Sequence, residues 1–218
     1  MLLIYTPQST TRLQYICKFI FEEVLGTTYS LTTDEESFKK YESSKINYCH
    51  SFIEFTYQLK PHGLLFQGGI EAQQIECFKD GENTFFFKSE SADYSFDIFA
   101  AAFYLISRYE EYLPHTRDMY GRYAHENSLA YKENFLHLPL INIWLQHFKD
   151  TLVLYFPLLN FTPKQFSFTP TYDIDIAWSY KEKGMLRNIG GFIKKPSFNR
   201  ISTLFGNKKD PSDSRFFR

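Results

Sequence analysis

The first 26 residues constrain the fold most, because a short apolar run leads directly into an amphipathic helix. Residues 2–5 are apolar and end just before Pro7, which is typical of a buried strand. The Ser-Thr-Thr sequence at 9–11 offers N-cap candidates. Apolar residues then recur on one helical face up to Gly26, which stops the pattern: Leu13, Ile16, Cys17, Ile20, Phe21, Val24 and Leu25. The chain is therefore expected to open with a strand followed by a helix.

Residues 45–87 change to a period of two, which is typical of strands. Apolar and polar residues alternate over 53–59 and predict a half-buried strand. The Leu-Leu-Phe run at 64–66 predicts another short strand. Residues 77–87 predict a hairpin that turns at Asp80-Gly81. We interpret this region as several short strands rather than one regular βαβ series.

Two further helices follow. Residues 96–112 are apolar nearly all round at first and then polar, which predicts a buried helix that emerges into solvent and ends before Pro114. Residues 140–155 place apolar side chains on one face between Pro139 and Pro157, which predicts a second helix. After this helix the strand pattern restarts, so a domain boundary is expected between residues 157 and 163.

Composition and charge exclude some classes of function. The net charge is −1, so nothing favours binding to nucleic acid or to acidic lipid. Aromatic residues make up 19% of the chain, which suits a large core; stacking on sugars is the alternative use.

The cysteines and the N-terminus bear on the compartment. Cys17, Cys49 and Cys77 are odd in number and share no metal-ligand spacing, which indicates reduced thiols. The N-terminus has no basic segment followed by a long apolar one, and no apolar run reaches the ~20 residues that span a bilayer. We expect a cytoplasmic protein with no membrane span.

Two acidic residues, Asp173 and Asp175, follow the apolar start of the last predicted strand, residues 166–176. Residues i and i+2 of a strand point to the same side, so both carboxylates can face one site. One could bind a divalent cation while the other acts as a base. The alternative is a strand-end pair that only makes turns and caps.

The residues around this pair resemble a known family. Thr171-Tyr172-Asp173-Ile174-Asp175 is similar to the first motif of the polysaccharide deacetylase (NodB-like) proteins. Residues 96–112 resemble a signature of the uncharacterised domain that precedes the deacetylase domain in proteins of the Bacteroidetes type. Its later blocks are similar to residues 118–123, 127–130 and 138–144. The resemblance covers most of residues 1–180.

The resemblance implies metal-dependent removal of acetyl groups from a glycan. Asp173 matches the catalytic base that activates water, and Asp175 matches the metal-ligand aspartate, with zinc as the expected metal. One residue separates the two acids, whereas many family members have adjacent aspartates.

The other metal ligands of the family come from a His-x(3–5)-His motif. No two of the six histidines lie closer than ten residues, and all precede the acidic motif: His50, His62, His115, His125, His137 and His147. Only residues 173–218 remain for a barrel, which is less than half a typical domain. We therefore expect this chain to lack a complete catalytic site and to bind zinc only weakly.

Two other features allow a functional and a structural interpretation. Arg108 could bind a sugar, carboxylate or phosphate, or could instead pair with Glu111, or with Glu110 and Asp118. Gly68-Gly69 lacks the context of a phosphate-binding loop and is expected to form a turn.

Together these features predict an α/β fold in two parts. Residues 1–160 are expected to form a mixed α/β domain, and residues 161–218 the incomplete start of a NodB-like (β/α) barrel. The predicted function is that of the N-terminal part of a metal-dependent glycan deacetylase with a glycan substrate. The alternative is a glycan- or protein-binding accessory domain without catalysis.

Overall fold

A computed structural model describes residues 1–162 and 165–171. Met1–Gln165 forms one compact unit, and Phe166–Arg218 belongs to a second. The described part of the second unit contains no strand, so the strand predicted at 166–176 is not seen over residues 166–171, and its remainder lies outside the described residues.

The first unit is built on a parallel sheet of four strands: β1 (Leu2–Tyr5), β2 (Tyr29–Thr32), β3 (Lys45–Tyr48) and β4 (Tyr57–Leu59). Their order in the sheet is β2-β1-β3-β4, and every neighbouring pair is parallel. Parallel neighbours need crossovers. Helices lie between β1 and β2 and between β2 and β3, whereas residues 49–56 join β3 to β4 without a helix. The mixed α/β class is thereby confirmed, and residues 45–87 form short strands rather than a regular βαβ series, as the sequence predicts.

Helix α1 (Thr11–Cys17) begins where the sequence predicts. The Thr10 hydroxyl caps it by accepting from the Leu13 N–H at 3.1 Å. The helix continues as a wider π-helical stretch, Lys18–Val24, in which the Leu25 N–H bonds to the carbonyl of Ile20.

Gly26 ends this helix in the left-handed region, with φ of +66°. A Cβ at Gly26 would lie 2.3 Å from the carbonyl oxygen of Thr162, and the Thr162 N–H donates to the Gly26 carbonyl at 2.9 Å. Glycine is required here for two reasons. The backbone has a positive φ, and the Thr162 backbone leaves no room for a Cβ.

Strand β2 and helix α2 (Glu35–Lys40) were not predicted from the sequence. Every residue of β2 is half-buried, so the strand has no apolar run to mark it. Helix α2 has six residues, too few for a periodic pattern, although Asp34 caps it through the N–H groups of Glu36 and Ser37.

Two predicted strands are shorter or absent. The alternating pattern at 53–59 forms a strand only at β4, because residues 53–56 turn: the Thr56 hydroxyl donates to the Ile53 carbonyl at 2.7 Å, and Phe55 has φ of +59°. Leu64–Phe66 is one turn of 3-10 helix that follows Gly63 at φ of +105°. That turn packs on the start of α1, where Thr10 and Arg12 donate to its carbonyls.

The hairpin is confirmed as β5 (Phe78–Asp80) and β6 (Asn83–Phe85). The predicted helix at 96–112 is confirmed in its buried part as α3 (Ile98–Ile106). It breaks at Arg108, which has φ of +51°, and a 3-10 turn, Tyr109–Tyr112, follows.

The last predicted helix is confirmed with the predicted limits as α5 (Leu140–Tyr155), preceded by a single turn, α4 (Leu129–Lys132). Aromatic side chains from the sheet, α3 and α5 fill the main core, as composition predicted. Phe21, Phe99 and Phe148 meet at its centre, with ring centroids 5.7 to 6.4 Å apart. None of the helices in residues 1–162 or 165–171 is both long and apolar enough to cross a bilayer.

Candidate functional site

The hairpin β5–β6 and one face of α5 enclose an open groove with a volume of about 530 Å³. This volume lies within the range of about 300–1,000 Å³ that small-molecule sites occupy. Most of the residues that line the groove are polar: Asp80, Asn83, Phe85, Asn142, Ile143, Trp144, Gln146, His147 and Asp150.

The register of the hairpin gives it a groove face. Asp80 pairs with Asn83, and Phe78 pairs with Phe85. Paired residues share a face, and residues i and i+2 of a strand share it too, so these four side chains project to the same side. Gly81, with φ of +59°, allows the tight turn that fixes this register.

The opposite wall is one face of α5. Asn142, Gln146 and Asp150 follow one another at a spacing of four residues, so they lie one above the other. Ile143 and His147 form the neighbouring row. At 1.5 Å per residue the wall rises by about 12 Å from Asn142 to Asp150. The groove is therefore long enough for a short chain molecule rather than a single ion.

Trp144 joins the two walls. Its side chain is only 1% exposed, and its indole N–H donates to the carbonyl oxygen of Thr84 in β6 at 3.0 Å. Its ring packs edge to face on Phe86 and Phe96, with centroids 5.6 and 5.1 Å apart. The width of the groove is thus set by core packing.

Phe85 provides an aromatic surface inside the groove. Its ring is half-buried and is stacked near-parallel between Phe78, at 5.6 Å, and Trp144, at 6.2 Å. Neighbours on both sides fix the orientation of the ring before any ligand arrives. The part of the ring that these neighbours leave exposed lines the groove and offers an apolar contact to a ligand.

The polar side chains of the groove can bind hydroxyl groups. Amides such as Asn142 and Gln146 both donate and accept, and carboxylates such as Asp150 accept only. The Gln146 amide donates a hydrogen bond to the Asp150 carboxylate at 2.9 Å. Nδ1 of His147 lies 3.1 Å from the Tyr94 hydroxyl. Donors and acceptors beside an aromatic ring suit a hydroxyl-rich molecule.

Two other cavities are weaker candidates. A crevice at the carboxyl ends of β1 and β3, the edge where α/β sheets bind ligands, has only about 170 Å³. It is lined by Pro7, Gln8, Cys49, His50, Pro61 and Phe66. A hollow of about 670 Å³ is larger, but residues 130–137 alone line it, so it has no opposing wall. Of these three cavities in the described part of the chain, the groove combines adequate volume with two walls of regular structure.

Asp97 is the most deeply buried charged residue in the described part of the chain, and its contacts are structural. It is 1% exposed and caps α3 by accepting from the N–H groups of Phe99 and Ala100. It also accepts from the Tyr48 hydroxyl at 2.8 Å and from the His62 N–H at 2.7 Å. One carboxylate thus ties the end of β3 and the loop after β4 to α3.

Burial raises the pKa of Asp97 from 3.8 to about 6, although its four donors oppose the rise. Between pH 4 and 6 the native protein therefore holds a proton that the unfolded chain releases, so the free energy of unfolding should fall as pH rises through this window. We expect a fall of up to about 3 kcal/mol, measured by urea unfolding at each pH. Asp97→Asn should flatten the curve; an equal slope in both proteins would contradict this assignment.

The predicted site residues fall partly outside the structure. Asp173 and Asp175 lie outside the described residues. Arg108 forms an ion pair with Glu111, as the structural interpretation predicts. The three cysteines, all within the described residues, are free thiols.

The described residues do not provide a metal site. Within residues 1–162 and 165–171, no three histidine, cysteine, aspartate or glutamate side chains are grouped so as to hold a metal ion. The ligand set that the family resemblance implies therefore has no counterpart in the described domain.

Sequence reasoning found the hairpin and α5 but missed the groove between them. The available signal was the polar row Asn142, Gln146 and Asp150, which runs along the polar face of α5 at a spacing of four. Such a row is ordinarily read as a solvated face. Its meaning depends on the hairpin that lies opposite, and sequence periodicity does not reveal that contact.

Fold and groove together define an α/β domain with a parallel sheet and an open groove between a hairpin and a helix. The model of a family of unknown function, DUF7033, matches residues 2–157. The match covers more than half of the 218 residues, and the chain belongs to this family. No curated protein and no solved structure matches the chain.

Proposed function

We propose that residues 1–162 form a glycan-binding accessory domain and that the chain is the N-terminal part of a metal-dependent glycan deacetylase. The observation that carries the binding role is the groove, in which the Phe85 ring stands on the hairpin wall beside polar side chains of both walls. A sugar ring has an apolar face of C–H groups and an edge of hydroxyls. The aromatic surface and the amides match these two parts.

The deacetylase role rests on the resemblance of the motif at 171–175. In that proposal Asp173 is the catalytic base and Asp175 a metal ligand, and further ligands are needed to hold zinc. The described domain offers no such ligand group, so it is assigned to binding, not to hydrolysis.

Glycan binding is tested with the full chain and amino-sugar oligosaccharides, both N-acetylated and de-N-acetylated, by isothermal titration calorimetry. Loss of two hydrogen-bonding side chains in Asn142→Ala/Gln146→Ala should weaken binding roughly thirtyfold, since each hydrogen bond contributes about 1 kcal/mol. Both side chains are exposed, so folding should be unaffected. Gln74→Ala, an exposed amide outside the groove, is the matched control.

Binding of neither oligosaccharide, or equal losses in the double variant and the Gln74→Ala control, would contradict the proposal. Equal melting temperatures of the three proteins establish that any loss arises in the groove.

Metal binding is tested separately by titrating the full chain with zinc. Two carboxylates do not make the three-ligand protein site that catalytic zinc requires, so we expect a Kd weaker than about micromolar. A tight site that Asp175→Ala eliminates would contradict this expectation. A tight site that survives in Asp175→Ala would place the ligands elsewhere and remove Asp175 from the proposed role.

A further inference from the structure

The groove has a charge that bears on which glycan it binds. Its ionised groups are the carboxylates of Asp80 and Asp150, and the described residues that line it include no lysine or arginine. Asp80 belongs to β5 and Asp150 to α5, so the two carboxylates stand on opposite walls. A molecule lying along the groove therefore meets negative charge from both sides.

Nearby lysines do not neutralise these carboxylates. Lys79 pairs with Thr84 across the hairpin, and strand alternation directs it to the face opposite Asp80. Lys149 lies on a different side of α5, where its ammonium group is 5.7 Å from the centre of the Phe161 ring. Because the groove is a cleft with two walls, the two negative charges attract a cation more strongly than the same charges on a flat surface would.

We propose that the groove binds glycans whose amino sugars have already lost their N-acetyl groups. This inference rests on the proposed function. Hydrolysis of an N-acetyl group adds water across the amide, releases acetate and leaves a primary amine that takes up a proton. The resulting ammonium group donates charge-assisted hydrogen bonds, for which Asp80 and Asp150 are suitable acceptors.

An N-acetylated sugar offers neither the charge nor the extra donors. Its amide is neutral, so its binding depends on the Phe85 ring and the amide side chains alone. The domain would therefore prefer the product of deacetylation to the substrate. Such a preference would keep the deacetylase part of the protein on deacetylated stretches of the glycan, next to sugars that still carry acetyl groups.

The test compares two hexamers of the same amino sugar, one fully N-acetylated and one fully de-N-acetylated, titrated into the full chain at low and at physiological salt. We expect the de-N-acetylated hexamer to bind at least tenfold more tightly, with an advantage that shrinks as salt rises. In Asp80→Asn/Asp150→Asn the advantage of the de-N-acetylated hexamer should be lost. Asparagine has nearly the shape of aspartate and both positions are exposed, so the fold should persist.

Glu54→Gln, an exposed carboxylate outside the groove, is the charge-matched control and should keep the preference. Equal or tighter binding of the N-acetylated hexamer would overturn the inference and leave the glycan-binding function standing. A preference that survives in Asp80→Asn/Asp150→Asn, or that Glu54→Gln also removes, would overturn it as well. If neither hexamer binds, the proposed function itself fails.

Discussion

Replacing Asp97 with alanine should lower the free energy of unfolding by about 4 kcal/mol, one of the largest effects expected from any single substitution in this domain. The carboxylate accepts from the Tyr48 hydroxyl and from the N–H groups of His62, Phe99 and Ala100. Alanine would leave these buried donors without a partner and remove the cap of α3. Urea unfolding followed by circular dichroism measures the loss.

Asp34→Ala is the matched control, because Asp34 also caps a helix, α2, but does so at the surface. Loss of an exposed N-cap costs about 1 kcal/mol. The difference between the two variants therefore isolates what burial and the two additional donors contribute at Asp97. Equal losses in Asp97→Ala and Asp34→Ala would show that Asp97 acts only as a helix cap.

Replacing Trp144 with alanine should lower the free energy of unfolding by about 3–5 kcal/mol, the usual loss when a buried tryptophan is truncated. The cavity would open beside Phe86 and Phe96, and the Thr84 carbonyl would lose its donor. Leu154→Ala on the same helix is the control: that side chain is 83% exposed, and its truncation should cost less than about 0.5 kcal/mol.

Trp144→Phe separates packing from hydrogen bonding at this position. Phenylalanine keeps an aromatic ring beside Phe85 but cannot donate to Thr84, so a loss between those of the other two variants is expected, about 1–2 kcal/mol. A loss in Trp144→Ala no larger than that in Leu154→Ala, measured by urea unfolding, would contradict the role of Trp144 in joining the hairpin to α5.

The elements that were predicted correctly from the sequence are those with strong local signals. Seven apolar positions on one face marked α1 and the π-helical stretch that continues it, and flanking prolines marked α5. Asp80-Gly81 marked the hairpin. In each case the property that fixes the element, whether periodicity, a cap or a turn, lies within the element itself.

The errors come from elements that depend on distant contacts. Strand β2 exists because it pairs with β1, although none of its residues is fully buried. Leu64 and Leu65 look like strand residues but are both buried in a turn, which hydrogen bonds from Thr10 and Arg12 hold against α1. The alternating pattern at 53–59 predicted a longer strand than β4, because Phe55 adopts a positive φ that is rare for phenylalanine.

The candidate site was harder to predict than the fold. The sequence drew attention to residues 171–175 through family resemblance, and this motif lies mostly outside the described residues. The groove instead combines Asp80 and Asn83 with Asn142, Gln146 and Asp150, roughly 60 residues further along the chain. Each is an ordinary surface residue in its own segment, and only the packing of α5 on the hairpin gives them a shared role.

The central claim is that the groove between the hairpin and α5 binds a glycan, and mapping by NMR tests it most directly. The full chain, labelled with ¹⁵N, is titrated with the de-N-acetylated and the N-acetylated hexamer in turn. We expect shifts concentrated at residues 79–85 and 142–150, including the indole N–H of Trp144, which donates to Thr84. Shifts confined to another surface, or no shifts with either hexamer, would contradict the account.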